Sequence, residues 1–126
     1  MRRQGFSVKA LNSYIQSFPK AELHLHLEGS VGPSLFNELA CRYETEYASL
    51  SLEELISKVF HYKNFNDFLN TFKIVCQHLR RPEDYEFVLK HLATDLLNQG
   101  VFYAEITYAP SIPWQLGFDG EATLQC

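Results

Sequence analysis

Apolar and polar residues alternate strictly over the segment from 22 to 28. Side chains at every second position of a strand share one face, so such a segment has two chemically different faces. The apolar positions are Leu23, Leu25 and Leu27, and the polar positions are Glu22, His24, His26 and Glu28. The pattern predicts a β-strand with a packed leucine face and an opposite face of ionisable side chains.

The spacing of apolar residues elsewhere up to residue 100 is that of helices. Pro33 suits the first turn of a helix, and Ser51 with Glu54 forms a capping-box pattern. The predicted helices cover 7–17, about 33–43, 51 to about 60, a segment from about 66, and a segment from 81 that stops at Gly100. The residues from about 33 to 100 are therefore expected to form a long helical segment that follows the strand.

A second strand is predicted over 101–108, where β-branched and aromatic residues follow Gly100. We expect this strand to be largely buried. The order strand, helices, strand is that of a βα unit with an enlarged helical part, which indicates a parallel α/β arrangement. Two strands do not make a parallel sheet with both faces covered, so the chain is interpreted as part of something larger.

Composition narrows the class of protein. The 126 residues suit one domain, 46% are hydrophobic and the net charge is -4, which argues against nucleic acid or an anionic membrane as partner. No apolar run is long enough to span a bilayer. The three cysteines, Cys41, Cys76 and Cys126, are odd in number and lack a C-x-x-C pair, so we expect a reduced, cytoplasmic setting, with Cys41 and Cys76 in the core.

The histidines at 24 and 26 are the candidate chemistry. On a strand their side chains share a face, about 6.6 Å apart along the chain. Two imidazole nitrogens so placed can converge on one metal ion, and Zn²⁺ suits nitrogen ligands. The alternative is a surface strand with two solvated histidines. The other histidines, His61, His78 and His91, have no ligand spacing and are expected at the surface.

The segment 18–30, FPKAELHLHLEGS, closely resembles the opening motif of the adenosine deaminase family, Pro-Lys-x-Glu-Leu-His-x-His-Leu-(Asp/Glu/Asn)-Gly-(Ser/Ala). Two further segments resemble the same family. Residues 62–72 resemble its Phe-x-x-Phe-Leu-x-x-Phe helix, and residues 100–105 resemble its second strand, Gly-Val-x-Tyr-x-Glu. The resemblance extends over about 18–116.

This resemblance implies an eight-stranded (β/α)8 TIM barrel of the metal-dependent hydrolase type, of which residues 1–126 supply the N-terminal part with its first two strands. It implies that His24 and His26 are the first two zinc ligands. Glu28 matches an acidic position that contacts the ribose 5′ region, although Glu reaches one methylene further than Asp. A hydrophobic gate over the purine is matched by Phe65, Phe68, Leu69 and Phe72, for which core packing is the alternative.

The implied reaction of the complete enzyme is hydrolytic deamination of a 6-aminopurine nucleoside, a small molecule, with release of ammonia. Thr107 stands where adenosine deaminase tends to have Arg. The segment 103–107 and Trp114 look more like aminodeoxyfutalosine deaminases. Glu105 is expected to make a structural hydrogen bond or ion pair rather than to act in catalysis. The oligomeric state is left open.

Three alternatives stand beside this interpretation: an adenine deaminase, another metal-dependent hydrolase with an H-x-H strand, and a non-enzymatic binding module. A barrel of this type needs about 250 residues. The family places its other metal ligands and its proton-handling Glu in later strands, so no catalytic residue is assigned here. We expect the 126 residues alone to be inactive and their exposed second strand to promote aggregation.

Overall fold

The computed structural model describes residues 7–125 as six helices, two strands and two short 3₁₀ turns. The helices are α1 (Val8–Ser17), α2 (Pro33–Arg42), α3 (Leu52–Lys58), α4 (Phe65–Cys76), α5 (Pro82–Asn98) and α6 (Ser111–Gln115). The strands are β1 (Lys20–His26) and β2 (Val101–Thr107), and the 3₁₀ turns are Glu28–Ser30 and Ala122–Leu124. The predicted order of strand, helices and strand is confirmed.

Local signals set where the helices begin. The Ser51 hydroxyl accepts the Glu54 amide at 3.2 Å and the Glu54 carboxylate accepts the Ser51 amide at 3.0 Å, which is the predicted capping box. Asn64 caps α4 in the same way by accepting the Asp67 amide at 3.1 Å. These contacts satisfy amide groups that have no partner inside the helix.

The end of α5 is set by Gly100, as its position after the apolar stripe predicted. Gly100 has φ +75°, a left-handed conformation that costs glycine little. A Cβ at this position would lie 3.1 Å from the Gln16 carbonyl oxygen, so a larger residue would also crowd the end of α1. The Lys20 ammonium donates to the Phe18 and Gln99 carbonyls at 3.0 and 2.5 Å, which joins the ends of the two helices.

The two strands are parallel, as predicted, with Lys20 opposite Val101 and His26 opposite Thr107. The register is irregular between Glu22 and Leu25, and His24 has φ +60°. The strict alternation predicted over 22–28 is therefore wrong in detail, because an irregularity of this kind interrupts the two-residue period. Leu23 is 59% exposed, so of the expected leucine face only Leu25 and Leu27 pack on the core.

The core lies in the helical layer, by which we mean α2, α3, α4 and α5. Its fully buried side chains include Phe36, Leu39, Leu55, Leu79 and Val88. Asp84, at the start of α5, joins this layer together: its carboxylate accepts from the Arg42 guanidinium, the Tyr43 hydroxyl, and the Arg80 and Arg81 amides. Since Asp84 is completely buried, these partners offset the cost of removing its charge from water.

The expected burial of the second strand is wrong. Only Val101 of β2 is buried, whereas Phe102 is 78% and Tyr103 57% exposed. The reason is that β1 is the one strand that pairs with β2 within residues 7–125, so one edge of β2 and much of its surface are left uncovered. Glu105 is likewise exposed and accepts a hydrogen bond from the Tyr103 hydroxyl at 2.9 Å.

The burial of two cysteines and one histidine can also be compared with the prediction. Cys41 is exposed, against expectation, and Cys76 is buried as expected; Cys126 lies outside the described residues. His78 was expected at the surface but is 4% exposed, because its helix end packs against Phe36.

Within the described part of the chain, no helix combines the length and apolar character that crossing a membrane requires.

Candidate metal and substrate site

His24 and His26 stand next to each other at the end of β1. Their ring centroids lie 5.3 Å apart with the ring planes tilted by 53°, and both side chains are exposed. The side-by-side arrangement that the H-x-H spacing predicted is therefore present. It is reached with His24 in a left-handed backbone conformation, a feature that is uncommon for residues other than glycine and often found at functional sites.

The two imidazoles fit the donor set of a zinc ion, which binds histidine nitrogen and, in catalytic sites, three protein ligands. Among residues 7–125, no group of three or more His, Cys, Asp or Glu side chains is close enough together to hold a metal ion. The described residues therefore offer two imidazole donors for such a site and no third donor beside them. The ligand role of the two histidines stays a prediction.

A cleft of about 350 Å³ opens beside His26. Its walls are His26, Gly29 and, from one face of α4, Phe68, Leu69 and Phe72. These three α4 residues share a face because helix positions three and four apart are neighbours. The structure thus brings three of the four predicted gate residues to the cleft that His26 lines.

The fourth predicted gate residue, Phe65, does not line this cleft. It is 70% exposed and stacks on Phe68, with ring centroids 5.9 Å apart. Tyr62 meets the same Phe68 ring edge-on at 5.7 Å. Phe65 therefore extends the aromatic surface outward from the cleft, and its contact with a purine stays a prediction.

Glu28 lies elsewhere than on the polar face of a strand. β1 ends at His26, and Glu28 begins a 3₁₀ turn with its side chain only 1% exposed. Its Oε1 accepts the Ala109 amide at 3.0 Å, whereas its Oε2 has no hydrogen-bond partner within residues 7–125. The strand prediction failed here because the chain turns after His26. The predicted ribose contact is not tested by this geometry.

The Glu28 charge helps to raise the pKa of three side chains, those of Cys76, Tyr85 and Tyr108. Burial, with the Glu28 carboxylate adding to it, raises the pKa of the Cys76 thiol to about 12. The same two causes, in the same order, raise the pKa of Tyr85 strongly. Both groups therefore stay protonated at neutral pH, so neither is an activated nucleophile.

Gly29 and Ala109 are the residues of this region that sequence reasoning did not single out. Gly29 lines the cleft, and its only signal in the sequence was its place beside Glu28 in the motif. Ala109 takes part through its backbone amide, and no residue pattern in the sequence predicts this hydrogen bond. A second cleft, of about 410 Å³, lies between α4 and α6 and shares Phe72 with the first.

The family model for adenosine deaminase matches residues 19–125. The chain is 35% identical over 120 residues to an aminodeoxyfutalosine deaminase of Streptomyces avermitilis, covering 95% of this chain and 33% of that protein. It is 32% identical over 114 residues to an adenosine deaminase of Clostridium perfringens, covering 86% and 34%. An adenine deaminase of Vibrio parahaemolyticus is 30% identical over 118 residues, covering 90% and 34%.

Solved structures agree with these matches. The crystal structure of an adenine deaminase from Arthrobacter aurescens superimposes with a TM-score of 0.72 at 29% identity, covering 82% of this chain and 32% of that one. Its fold class is the TIM barrel expected from the sequence, of which these two strands and their helices form a part. The chain spans about a third of the length of the curated relatives it matches. On the strength of the family match, the histidine pair and this shared fold, the chain belongs to the adenosine deaminase family.

Proposed function

We propose that this chain carries two of the zinc ligands and part of the purine pocket of a deaminase that acts on a 6-aminopurine nucleoside. The observation that supports this most directly is that a histidine imidazole and apolar side chains line the same cleft. His26, whose ring lies 5.3 Å from that of His24, lines a cleft of about 350 Å³ that is also lined by Phe68, Leu69 and Phe72. Metal ligands and a flat apolar wall are what hydrolysis at a purine ring requires.

The described residues divide the work between them. His24 and His26 would hold the ion, and Phe68, Leu69 and Phe72 would hold the purine ring by apolar contact and exclude water from it. Zinc, when bound, supplies a water molecule that is acidic enough to react near neutral pH. In the balanced reaction water replaces the amino group at C6 of the purine, ammonia leaves and a carbonyl group remains.

The choice among purines is the finer part of the proposal. The relative from Streptomyces avermitilis carries the name aminodeoxyfutalosine deaminase and is 35% identical. Thr107, opposite His26 in the sheet, replaces the Arg that adenosine deaminase tends to have. We favour aminodeoxyfutalosine or adenosine as substrate. Adenine is the second candidate, supported by the 30% identity to an adenine deaminase.

The 126 residues by themselves are proposed to be inactive. Two ligands realise only part of the binding energy of a zinc site, and the described residues bring no third one to the pair. Weak, histidine-dependent metal binding is the property expected of this chain alone. A cytoplasmic setting is proposed on the cysteines, since Cys41 and Cys76 are both free thiols.

The metal part of the proposal is tested on the chain itself. Zn²⁺ affinity is measured by competition with a chromophoric chelator for the wild type, His24→Ala and His26→Ala. We expect each substitution to weaken binding at least about tenfold, because a zinc ligand is removed. His91→Ala is the matched control, since His91 is an exposed histidine on α5. Equal losses in all three variants would contradict the assignment of the ligands.

The reaction is tested in a complete barrel. Residues 19–125 replace the matching third of the Streptomyces avermitilis relative, and ammonia release is measured with adenosine, adenine and aminodeoxyfutalosine. We expect turnover of at least one substrate, lost on His24→Ala or His26→Ala. A folded, zinc-containing chimera that turns over none of the three would overturn the proposed function.

A further inference from the structure

We propose that Glu28 is a positioning residue, whose carboxylate ties the turn after β1 to the backbone after β2 and thereby holds His26 against the cleft. This role differs from the ribose contact that the family resemblance implies. It rests on the proposed function only in taking His26 as a metal ligand.

The carboxylate continues the pairing of the strands after the backbone has turned away. His26 lies opposite Thr107, and the next amide, that of Leu27, donates to the Thr107 carbonyl at 2.9 Å. At Glu28 the backbone enters a 3₁₀ turn and leaves the ladder. The side chain then takes over, because its Oε1 accepts the Ala109 amide at 3.0 Å. One further rung therefore joins the two strand ends next to the histidine pair.

The turn itself is held rigidly at its base. The Ser30 hydroxyl and the Ser30 amide both donate to the Leu27 carbonyl, at 2.7 and 3.1 Å. With Leu27 6% and Glu28 1% exposed, both side chains are packed. A movement of Glu28 would thus be passed to Leu27 and to the end of β1 that carries His26.

Burial places Glu28 behind the wall of the cleft. The cleft is lined by His26, Gly29 and three α4 residues, and Glu28 is not among them. Glu28 instead lines a separate cavity of about 30 Å³, whose walls include Phe68, Thr71, Phe72 and Val75. The two cavities share Gly29, Phe68 and Phe72, so Glu28 lies on the far side of residues that wall the cleft.

The choice of glutamate has a geometric consequence. The side chain must span from the turn after β1 to the amide of Ala109, and a longer side chain makes that reach. An aspartate, one methylene shorter, would withdraw its oxygen from the amide. We therefore expect Glu28→Asp to lose the tie although it keeps the charge, while Glu28→Gln keeps it because the amide carbonyl oxygen can still accept.

The test uses the 126-residue chain and two measurements, amide hydrogen exchange at Ala109 and Zn²⁺ affinity by chelator competition. The key variants are Glu28→Leu, which removes the acceptor and keeps most of the volume, and Glu28→Gln. We expect Glu28→Leu to speed exchange at Ala109 by about 10- to 100-fold relative to the amide of Val88, the worth of one hydrogen bond to a charged group. It should also weaken Zn²⁺ binding at least about threefold, whereas Glu28→Gln should change neither.

A loss of stability alone must not imitate this result. Thr45→Val is the matched control, since it removes a hydrogen bond to the buried His78 in the helical layer. It should lower stability and leave the Zn²⁺ affinity unchanged. If Glu28→Leu does not fold, Glu28→Asp takes its place with the same expected changes.

Three outcomes would overturn the proposal. They are an Ala109 amide that exchanges at the rate of a free peptide in the wild type, exchange unaffected by Glu28→Leu or Glu28→Asp, and a selective change at Ala109 without any change in Zn²⁺ affinity. Each is separable from failure of the proposed function, because the latter is measured as turnover by the chimera. Loss of Zn²⁺ binding in the wild type would remove the positioning role as well.

Discussion

The helical layer and the two-stranded sheet both carry large aromatic side chains, yet they bury them to very different degrees. Phe36 in α2 is completely buried, and Phe102 in β2 is 78% exposed. The helices find their packing partners within this chain. Helix α2 packs on α3, and the ring of Phe36 contacts Tyr47, Phe60 and His78. A strand needs neighbours on its edges and on both faces, and β2 has one paired edge.

Polar groups follow the same division. In the helical layer the buried carboxylate of Asp84 has four donors, so its charge serves to hold elements together. At the end of the sheet the imidazoles of His24 and His26 are exposed and have no such network among residues 7–125. Polar groups in the helical layer thus stabilise the fold, whereas the two imidazoles at the end of the sheet are left accessible to solvent.

The largest expected effect compares the same substitution in the two regions. Phe36→Ala should lower the free energy of unfolding by about 3–5 kcal/mol, because it leaves a cavity in the core. Phe102→Ala should change it by less than about 0.5 kcal/mol, as for other exposed positions. Urea unfolding followed by circular dichroism measures both. Equal losses would show that β2 is covered in solution and that the two regions do not differ in burial.

A second, smaller effect tests the polar half of the comparison. Asp84→Ala should cost about 3 kcal/mol, because it leaves the Arg42 guanidinium and two backbone amides without their buried acceptor. Glu86→Ala is the control on the same helix: it breaks an exposed i,i+4 pair with Lys90 and should stay within about 0.5 kcal/mol of the wild type. The same unfolding experiment serves for both. A small loss for Asp84→Ala would mean that its network does not hold the layer.

The smallest expected effect is one of pH and belongs to the helical layer alone. Burial lowers the pKa of His78 from its ordinary value of 6.5, and the Arg80 charge lowers it further, against the opposing influence of the Ile74 carbonyl and Glu46. The folded state therefore disfavours the proton that the unfolded chain accepts. The stability contribution is complete above pH 6.5 and is lost as pH falls below it.

Thermal unfolding between pH 5 and 8 measures this effect. His78→Gln should remove part of the acid-induced loss of stability, since glutamine does not titrate. A pH profile that His78→Gln leaves unchanged would place the pH-sensitive group outside the layer.

Local sequence signals predicted most of the elements because each acts within a few residues. The capping box at Ser51 forms as expected, and Gly100 ends α5 in the left-handed conformation that its position required. The H-x-H spacing was enough to predict two neighbouring imidazoles, and the aromatic spacing in α4 was enough to predict a shared apolar face. Most of the elements, the neighbouring imidazoles and the apolar face of α4 could thus be predicted from the sequence.

What the sequence by itself determined about this protein is the order of its strands and main helices, the cap that begins α3, the glycine that ends α5 and the pair of neighbouring imidazoles. The tertiary structure alone decided that β2 stays exposed, that His78 is buried and that Glu28 bonds to the amide of Ala109, 81 residues away. The physical reason is distance along the chain. A cap or a helical stripe acts within one or two turns, whereas burial and hydrogen bonds between strand ends depend on segments that only folding brings together.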